Sequence, residues 1–121
     1  MIQIFGQPKC KATRAAQRFF SDRKMRFQDV DLREQSLSDG ELKAVAQALG
    51  GVAALWDPTC KRVRELGLQH IEPAEDRLFE LLLEDGLLCR TPIVRLGAQA
   101  TVGKDEAGWK ALFEAAKAGG S

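Results

Sequence analysis

The sequence predicts a single α/β domain over residues 1–121, built on a mixed sheet of about four strands. A strand–helix–strand pattern comes first, a strand–strand–helix pattern comes last, and residues 36–86 between them carry only helical patterns. A chain of 121 residues with 45% hydrophobic residues can bury one core. The formal net charge of +1 gives no overall electrostatic reason to expect nucleic-acid binding.

The N-terminal half begins with Met1–Gly6, a short apolar run that predicts a buried strand. From Cys10 onwards the apolar residues recur at helical spacing, which predicts an amphipathic helix. Met25–Leu32 alternates between apolar and polar residues and predicts a second strand. Its inward-facing residues are expected to be Met25, Phe27 and Val30. A unit of this order predicts parallel pairing of the two strands through a right-handed crossover.

The middle of the chain, residues 36–86, predicts three helical segments. Ser38 and Glu41 have the spacing of a capping box at the start of the first segment. Pro58 is placed to be the first helical residue of the second segment. Pro73–Asp85 forms the third, with a leucine-rich face.

The C-terminal half contains two short strands, Pro92–Leu96 and Ala100–Val102, joined by a glycine-containing hairpin turn. Lys104–Lys117 is the last predicted helix, and Gly119–Ser121 is expected to fray. With residues 36–86 as a helical insert between the two halves, this order is that of the thioredoxin-like fold.

Cys10 is the predicted nucleophile. It lies where the first strand turns into the first helix, so its thiol faces unpaired N–H groups and the positive end of the helix dipole. Lys9, Lys11 and Arg14 add positive charge around it. Both effects stabilise a thiolate. The alternative is that Cys10 is a small buried residue that closes the first helical turn.

Several short motifs, taken in order, resemble the glutaredoxin-linked arsenate reductase and Spx family over essentially the whole chain. They are Gln7-Pro8-Lys9-Cys10 with Arg14 four residues later, Arg64-Glu-Leu-Gly-Leu68, Arg90-Thr-Pro-Ile-Val94, and Thr101-Val-Gly-Lys-Asp-Glu106. The resemblance implies a thioredoxin-like sheet with a helical insert. It also implies a cis peptide bond before Pro92, facing the cysteine loop. The alternative for Pro92 is a proline that opens an edge strand.

The resemblance implies a thiol-dependent reductase with Cys10 as its catalytic residue. Cys10-Lys-Ala-Thr13 is similar to the one-cysteine glutaredoxin arrangement, in which glutathione supplies the second thiol. We therefore expect glutathione, or a thiol peptide, as co-substrate, with no bound cofactor and no metal. The residues expected to bind it are Lys9, Thr13, Arg14, Arg90, Thr91 and Pro92. The Thr13 hydroxyl can hydrogen-bond the Cys10 thiolate or cap the helix.

The chain departs from the arginine pattern of the arsenate reductases. Thr91 stands where the family has an arginine, with Arg90 one residue earlier, and Gly103 and Asp57 align near two further arginine positions. If residues 90 and 91 belong to a strand, their side chains point to opposite faces, and Arg90 does not reach the cysteine. We therefore expect glutathione or a thiol peptide, rather than a free oxyanion, to be the ligand.

A non-catalytic, Spx-like adaptor that binds a protein partner such as RNA polymerase is the alternative function. Thr13 excludes a local dithiol switch, because it stands where those regulators have a second cysteine.

The two other thiols have more than one interpretation. Cys89 is either a resolving thiol or a buried packing residue, and Cys60 is a surface or half-buried thiol. His70, the sole histidine, reads as a solvated loop residue. Three cysteines without a leader pattern indicate a reducing cytoplasm, and we expect a monomer that binds neither membranes nor nucleic acid.

Overall fold

A mixed four-stranded sheet forms the centre of the computed structural model, which describes residues 1–119. Its strands are β1 (Ile2–Gly6), β2 (Phe27–Asp31), β3 (Ile93–Leu96) and β4 (Gln99–Val102), in the order β2-β1-β3-β4. β1 pairs in parallel with β2 and antiparallel with β3, and β3 pairs antiparallel with β4. The predicted mixed sheet is confirmed. Gly120 and Ser121, which were expected to fray, lie outside the described residues.

Five α-helices surround the sheet. They are α1 (Lys11–Asp22), α2 (Asp39–Leu49), α3 (Lys61–Glu65), α4 (Glu75–Glu84) and α5 (Glu106–Ala118), with short 3-10 turns at Val52–Leu55 and Gly86–Leu88. The helices α2 to α4 follow β2 and precede β3, in the segment where the sequence predicts the helical insert. No helix within residues 1–119 has the length and apolar content required to cross a membrane.

The sheet separates two hydrophobic clusters because successive strand residues face opposite sides. Ile4 and Val94 pack with α1 and α5 on one side, and Phe5 and Ile93 pack with the helices between β2 and β3 on the other. The residues predicted to face inwards on β2 are divided in the same way. Phe27 joins the α1–α5 cluster, whereas Val30 is buried in the opposite one.

The capping box predicted at the start of α2 is present. The Ser38 hydroxyl accepts a hydrogen bond from the Glu41 N–H at 3.2 Å, and the Ser38 N–H donates to the Glu41 carboxylate at 2.9 Å. Two N–H groups that the helix cannot pair are thereby satisfied.

The prediction that Pro58 is the first residue of a helix is wrong. α3 begins at Lys61, and Pro58 lies in a turn closed by a hydrogen bond from the Cys60 N–H to the Asp57 carbonyl at 3.1 Å. The Asp57 carboxylate accepts from both the N–H and the hydroxyl of Thr59, at 2.9 and 2.6 Å. This side-chain turn holds the segment outside the helix.

Candidate active site

The loop that presents Cys10 connects the end of β1 to the start of α1. The Cys10 N–H donates to the Gln7 carbonyl at 3.1 Å, which closes a turn with Pro8 in its second position. Proline suits that position because its ring fixes φ near the value the turn requires. Cys10 is the N-cap of α1, with an extended backbone and no side-chain capping bond. Its thiol is half-buried at the helix N-terminus.

Thr91 lies opposite Cys10 and contacts its sulfur. The Thr91 hydroxyl donates to Cys10 Sγ at 3.1 Å, and the protonated thiol faces the Thr91 carbonyl oxygen at 3.9 Å. The Thr91–Pro92 peptide bond is cis, as the resemblance implied. The sequence pointed to the backbone of Thr91 but missed the role of its hydroxyl as a donor to the thiolate.

Thr13 lies in the first turn of α1, next to the Cys10 thiol. Its side chain is only 1% exposed, and its hydroxyl accepts from the Gln7 N–H at 3.5 Å while also hydrogen-bonding Cys10. Gly6 permits this arrangement, since a Cβ at position 6 would collide with the Thr13 side chain. Of the two roles considered for Thr13, the structure supports the hydrogen bond to Cys10, because Cys10 itself occupies the N-cap position.

The pKa of Cys10 lies below its ordinary value. Desolvation by burial is the largest influence and raises the pKa, but hydrogen bonds from the Thr13 and Thr91 hydroxyls and from the N–H groups of Thr13 and Ala12 together outweigh it. The sequence also pointed to nearby lysine and arginine side chains as a cause. In the structure the lowering comes from hydrogen-bond donors instead, which favour the charged form of the group they contact.

A cleft of about 330 Å³ lies next to the loop that presents Cys10. Gln7 of that loop, Thr91 and Arg90 line it. The strand alternation considered for Arg90 and Thr91 does not apply to them, because β3 begins only at Ile93, and both residues line this cleft. The Arg90 guanidinium donates to the Trp56 carbonyl at 3.2 Å.

Lys9 and Arg14, two further residues predicted at the site, do not line this cleft. Both are exposed, and Arg14 lines a separate hollow with Gln7, Pro8 and Thr13. The structure thus gathers Thr13, Thr91 and Pro92 around the thiol, whereas Arg14 and Arg90 lie in different hollows that share Gln7.

The cationic side chains of the cleft are largely engaged by carboxylates. Arg33 binds Asp31 at 2.7 Å, and Arg62 binds Asp85 at 2.6 Å. Asp57, which the sequence placed near an arginine position of the family, also lines the cleft. Its pKa lies below the ordinary value because of the hydrogen bond from the Thr59 hydroxyl, opposed by partial burial, with the Arg90 charge as a smaller contribution. The cleft therefore mixes both signs of charge.

The two other cysteines differ from Cys10 in environment, and all three thiols are free. Cys89 is only 3% exposed, and burial raises its pKa to about 12, with the charges of Asp85 and Cys60 contributing. Of its two interpretations, the structure supports the packing role. Cys60 is half-buried and lines the cleft, so it is not a simple surface thiol.

Four residues at or beside the site were missed in the sequence: Gly6, Gln7, Arg33 and Cys60 as a cleft residue. The available signal for Gly6 was a glycine at the end of β1, directly before the cysteine loop, where a Cβ would meet the Thr13 side chain. The available signal for Gln7 was its place in the motif Gln7-Pro8-Lys9-Cys10, whereas no sequence signal pointed to Arg33 or Cys60, because their positions depend on how the insert packs beside the loop.

A cysteine at the start of the helix that follows β1, facing the residue before a cis proline, on a mixed four-stranded sheet, defines a thioredoxin-like protein. The model of the ArsC family matches residues 5–112. The chain therefore belongs to the ArsC family. This membership and the fold support an oxidoreductase at the level of class.

Similar proteins agree with this assignment. An arsenate reductase from Vibrio cholerae is 30% identical, with a TM-score of 0.71 over 84% of this chain and 88% of its own. The uncharacterized protein YusI from Bacillus subtilis is 29% identical over 108 residues, which cover 87% of this chain and 92% of YusI. An arsenate reductase (ArsC) related protein from Brucella melitensis, 18% identical with a TM-score of 0.63 over 93% of both chains, shares the fold.

Proposed function

We propose that the protein is a thiol–disulfide oxidoreductase that uses Cys10 as its single redox thiol and glutathione as the resolving thiol. The observation that carries the proposal is the half-buried Cys10 sulfur at the start of α1, 3.1 Å from the Thr91 hydroxyl. A thiolate stabilised in this way attacks disulfides at neutral pH and is also a good leaving group.

The proposed reaction has two exchange steps. The Cys10 thiolate first attacks the glutathione sulfur of a mixed disulfide, so that a Cys10–glutathione disulfide forms and the substrate leaves as a thiolate that takes a proton from water. The thiolate of a second glutathione then attacks this disulfide, releasing oxidised glutathione and restoring the Cys10 thiolate. The substrate sulfur is reduced and two glutathione sulfurs end as one disulfide.

Glutathione is proposed as the resolving thiol because neither the Cys-x-x-Cys position nor the cis-proline loop offers a reactive second thiol. Thr13 occupies the position of a local partner, and Cys89 is buried with a pKa raised by burial to about 12. The substrate peptide would pair with the Thr91 backbone as a short added strand. Lys9, Arg14 and Arg90 would meet its carboxylates, and each exposed pair contributes at most about 1 kcal/mol.

Glutathione ranks above a free oxyanion as the ligand. An arsenate or phosphate site requires several guanidinium groups that converge on one point. Here Arg33 and Arg62 are paired with carboxylates, and Arg14 and Arg90 lie in separate hollows. A free, reactive thiol also fits a monomer working in a reducing cytoplasm.

A coupled assay with glutathione, glutathione reductase and a panel of disulfides and arsenate tests the proposal. We expect turnover of glutathione mixed disulfides, its loss in Cys10→Ser, and its retention in the matched control Cys89→Ala. Turnover of arsenate alone would reverse the ranking of ligands. Absence of turnover on every substrate, together with capture of a defined protein partner such as RNA polymerase, would replace the enzyme by the adaptor.

A further inference from the structure

Three positively charged side chains lie in a row on the exposed face of α1, and the proposed reaction uses only Arg14 among them. We name the row Lys11, Arg14 and Arg18 the α1 basic strip. The three side chains are exposed, and their spacing of three and four residues places them on one face of the helix. The opposite face is buried and consists of Thr13, Ala16 and Phe20.

The strip forms no ion pair within residues 1–119, and its acidic neighbours Asp29 and Asp31 line the separate hollow that Arg14 borders. None of the ion pairs in that part of the chain involves Lys11, Arg14 or Arg18. Like charges three or four residues apart repel each other and destabilise an isolated helix. The three side chains and Ala15 line a shallow hollow of about 260 Å³ on the helix surface. A groove with cationic walls is therefore open to an anionic segment.

The strip begins at the residue next to the reactive thiol. Lys11 follows Cys10 directly, and seven residues of helix extend it to Arg18, a rise of about 10 Å. An extended segment of about three residues spans that length. A polypeptide lying along the strip can therefore place a neighbouring cysteine at the Cys10 sulfur.

We propose that the α1 basic strip docks an acidic segment of the protein or peptide whose mixed disulfide Cys10 reduces. This proposal rests on the proposed function and names its substrate class: glutathionylated cysteines next to aspartate or glutamate residues. The occupant follows from charge complementarity, because three unpaired cations adjoin the attacking sulfur. A polypeptide is favoured over a nucleic acid since the reaction requires a substrate sulfur and the whole chain has a net charge of only +1.

Two glutathionylated peptides that differ only in three glutamates or three lysines beside the cysteine provide the test. We expect wild-type protein at low salt to favour the glutamate peptide about tenfold in kcat/KM, through KM, and added salt to reduce this preference. The double variant Lys11→Glu/Arg18→Glu should abolish or reverse it. The matched control Lys110→Glu/Lys117→Glu, on the exposed face of α5, changes the net charge equally and should retain it.

A binding measurement separates this proposal from the proposed function. Cys10→Ser protein is titrated with a form of the glutamate peptide in which serine replaces the glutathionylated cysteine. The backbone amide chemical shifts of the protein are followed. Shifts at Lys11–Arg18 that are absent with the lysine peptide support docking even if no peptide is turned over, which would overturn only the proposed function.

Three results would overturn the docking proposal while leaving the proposed function intact. The first is turnover without preference between the peptides, or with equal preference in both double variants. The second is tighter binding of a single-stranded oligonucleotide than of the glutamate peptide at the strip. The third is a salt-sensitive dimer that Lys11→Glu/Arg18→Glu disrupts, which would assign the strip to the acidic α4 face of a second copy.

Discussion

Cys10 and Cys89 border the same cis-proline loop, yet the pKa values of their thiols are shifted in opposite directions. Cys10 is half-buried at the start of α1 and receives hydrogen bonds from hydroxyl and N–H donors, so its pKa is lowered although desolvation opposes this. Cys89 is 3% exposed and lies just before Arg90, and burial raises its pKa to about 12. Desolvation raises the pKa of both thiols, but it acts far more strongly on the buried Cys89, and at the half-buried Cys10 the hydrogen-bond donors outweigh it.

The comparison shows where thiol reactivity comes from in this fold. Thr91 lies two residues after Cys89 but aims its hydroxyl at Cys10. Thr13 and the first N–H groups of α1 add donors that a helix start supplies by its geometry. The same loop therefore activates one cysteine and leaves its own cysteine as a packing residue.

The largest effect, on the free energy of unfolding, is expected when the close contact between Gly6 and Thr13 is disturbed. Gly6→Ala introduces a Cβ that collides with the Thr13 side chain. We expect the free energy of unfolding to fall by about 1–3 kcal/mol, as for other overpacked sites. Urea unfolding measures the loss, and Gly40→Ala, where a Cβ meets open space, is the control. Equal stability in the two variants would show that Thr13 yields to the added methyl group.

Removing the hydroxyl donors should make Cys10 more like Cys89. In Thr13→Val/Thr91→Val the pKa of Cys10 rises, since two of the hydrogen bonds that lower it are lost. Because the thiolate is the reactive form, alkylation near pH 6 should slow about tenfold for each unit of increase. Thr101→Val, at a buried threonine outside the site, is the control. An unchanged rate would show that the N–H groups at the start of α1, rather than the two hydroxyls, lower the pKa of Cys10.

The raised pKa of Cys89 should be detectable in the pH dependence of the free energy of unfolding. Its folded pKa of about 12 exceeds that of an unfolded thiol, about 8.5, so above that pH only the unfolded state loses the proton. Stability therefore declines as pH rises, by up to about 1.4 kcal/mol per pH unit. In Cys89→Ala the decline should be shallower, while alkylation of Cys10 is unchanged. An equally steep decline of stability with pH in the two proteins would contradict the raised pKa assigned to Cys89.

The smallest effect concerns Arg90, which lines the cleft together with Cys89 and Thr91. Its guanidinium is exposed and donates to the Trp56 carbonyl, so its contact with a peptide carboxylate is screened by water. We expect Arg90→Ala to raise KM for glutathione by less than about fivefold with kcat unchanged, consistent with an exposed pair worth at most about 1 kcal/mol. A fall in kcat instead would place Arg90 at the reacting sulfur.

Patterns of local origin could be predicted from the sequence. The order of strands and helices follows from hydrophobic periodicity, and the Ser38–Glu41 capping box follows from a spacing of three residues. The place of Cys10 at a helix start follows from the change of period after Gly6. In each case the determining contacts lie within a few residues of one another.

Features that depend on tertiary packing could not be predicted. The Thr91 hydroxyl meets Cys10 across 81 residues of sequence, and no spacing pattern encodes that contact. Arg90 lies before β3, so no strand alternation fixes its direction, and both it and Cys60 line the cleft only because the insert packs beside the loop. The role of Pro58 failed for a local reason, since the Asp57–Thr59 turn competes with a helix start.

The pH dependence of alkylation at each cysteine, resolved by peptide mass spectrometry, tests the central claim most directly. We predict that Cys10 reacts fastest, with a midpoint lowered from that of an unperturbed thiol by the hydrogen bonds it receives. Cys89 should stay unlabelled in the folded protein throughout the same range, since it is 3% exposed. Labelling of Cys10 no faster than that of Cys89 near about pH 6 would contradict the assignment of Cys10 as the reactive thiol.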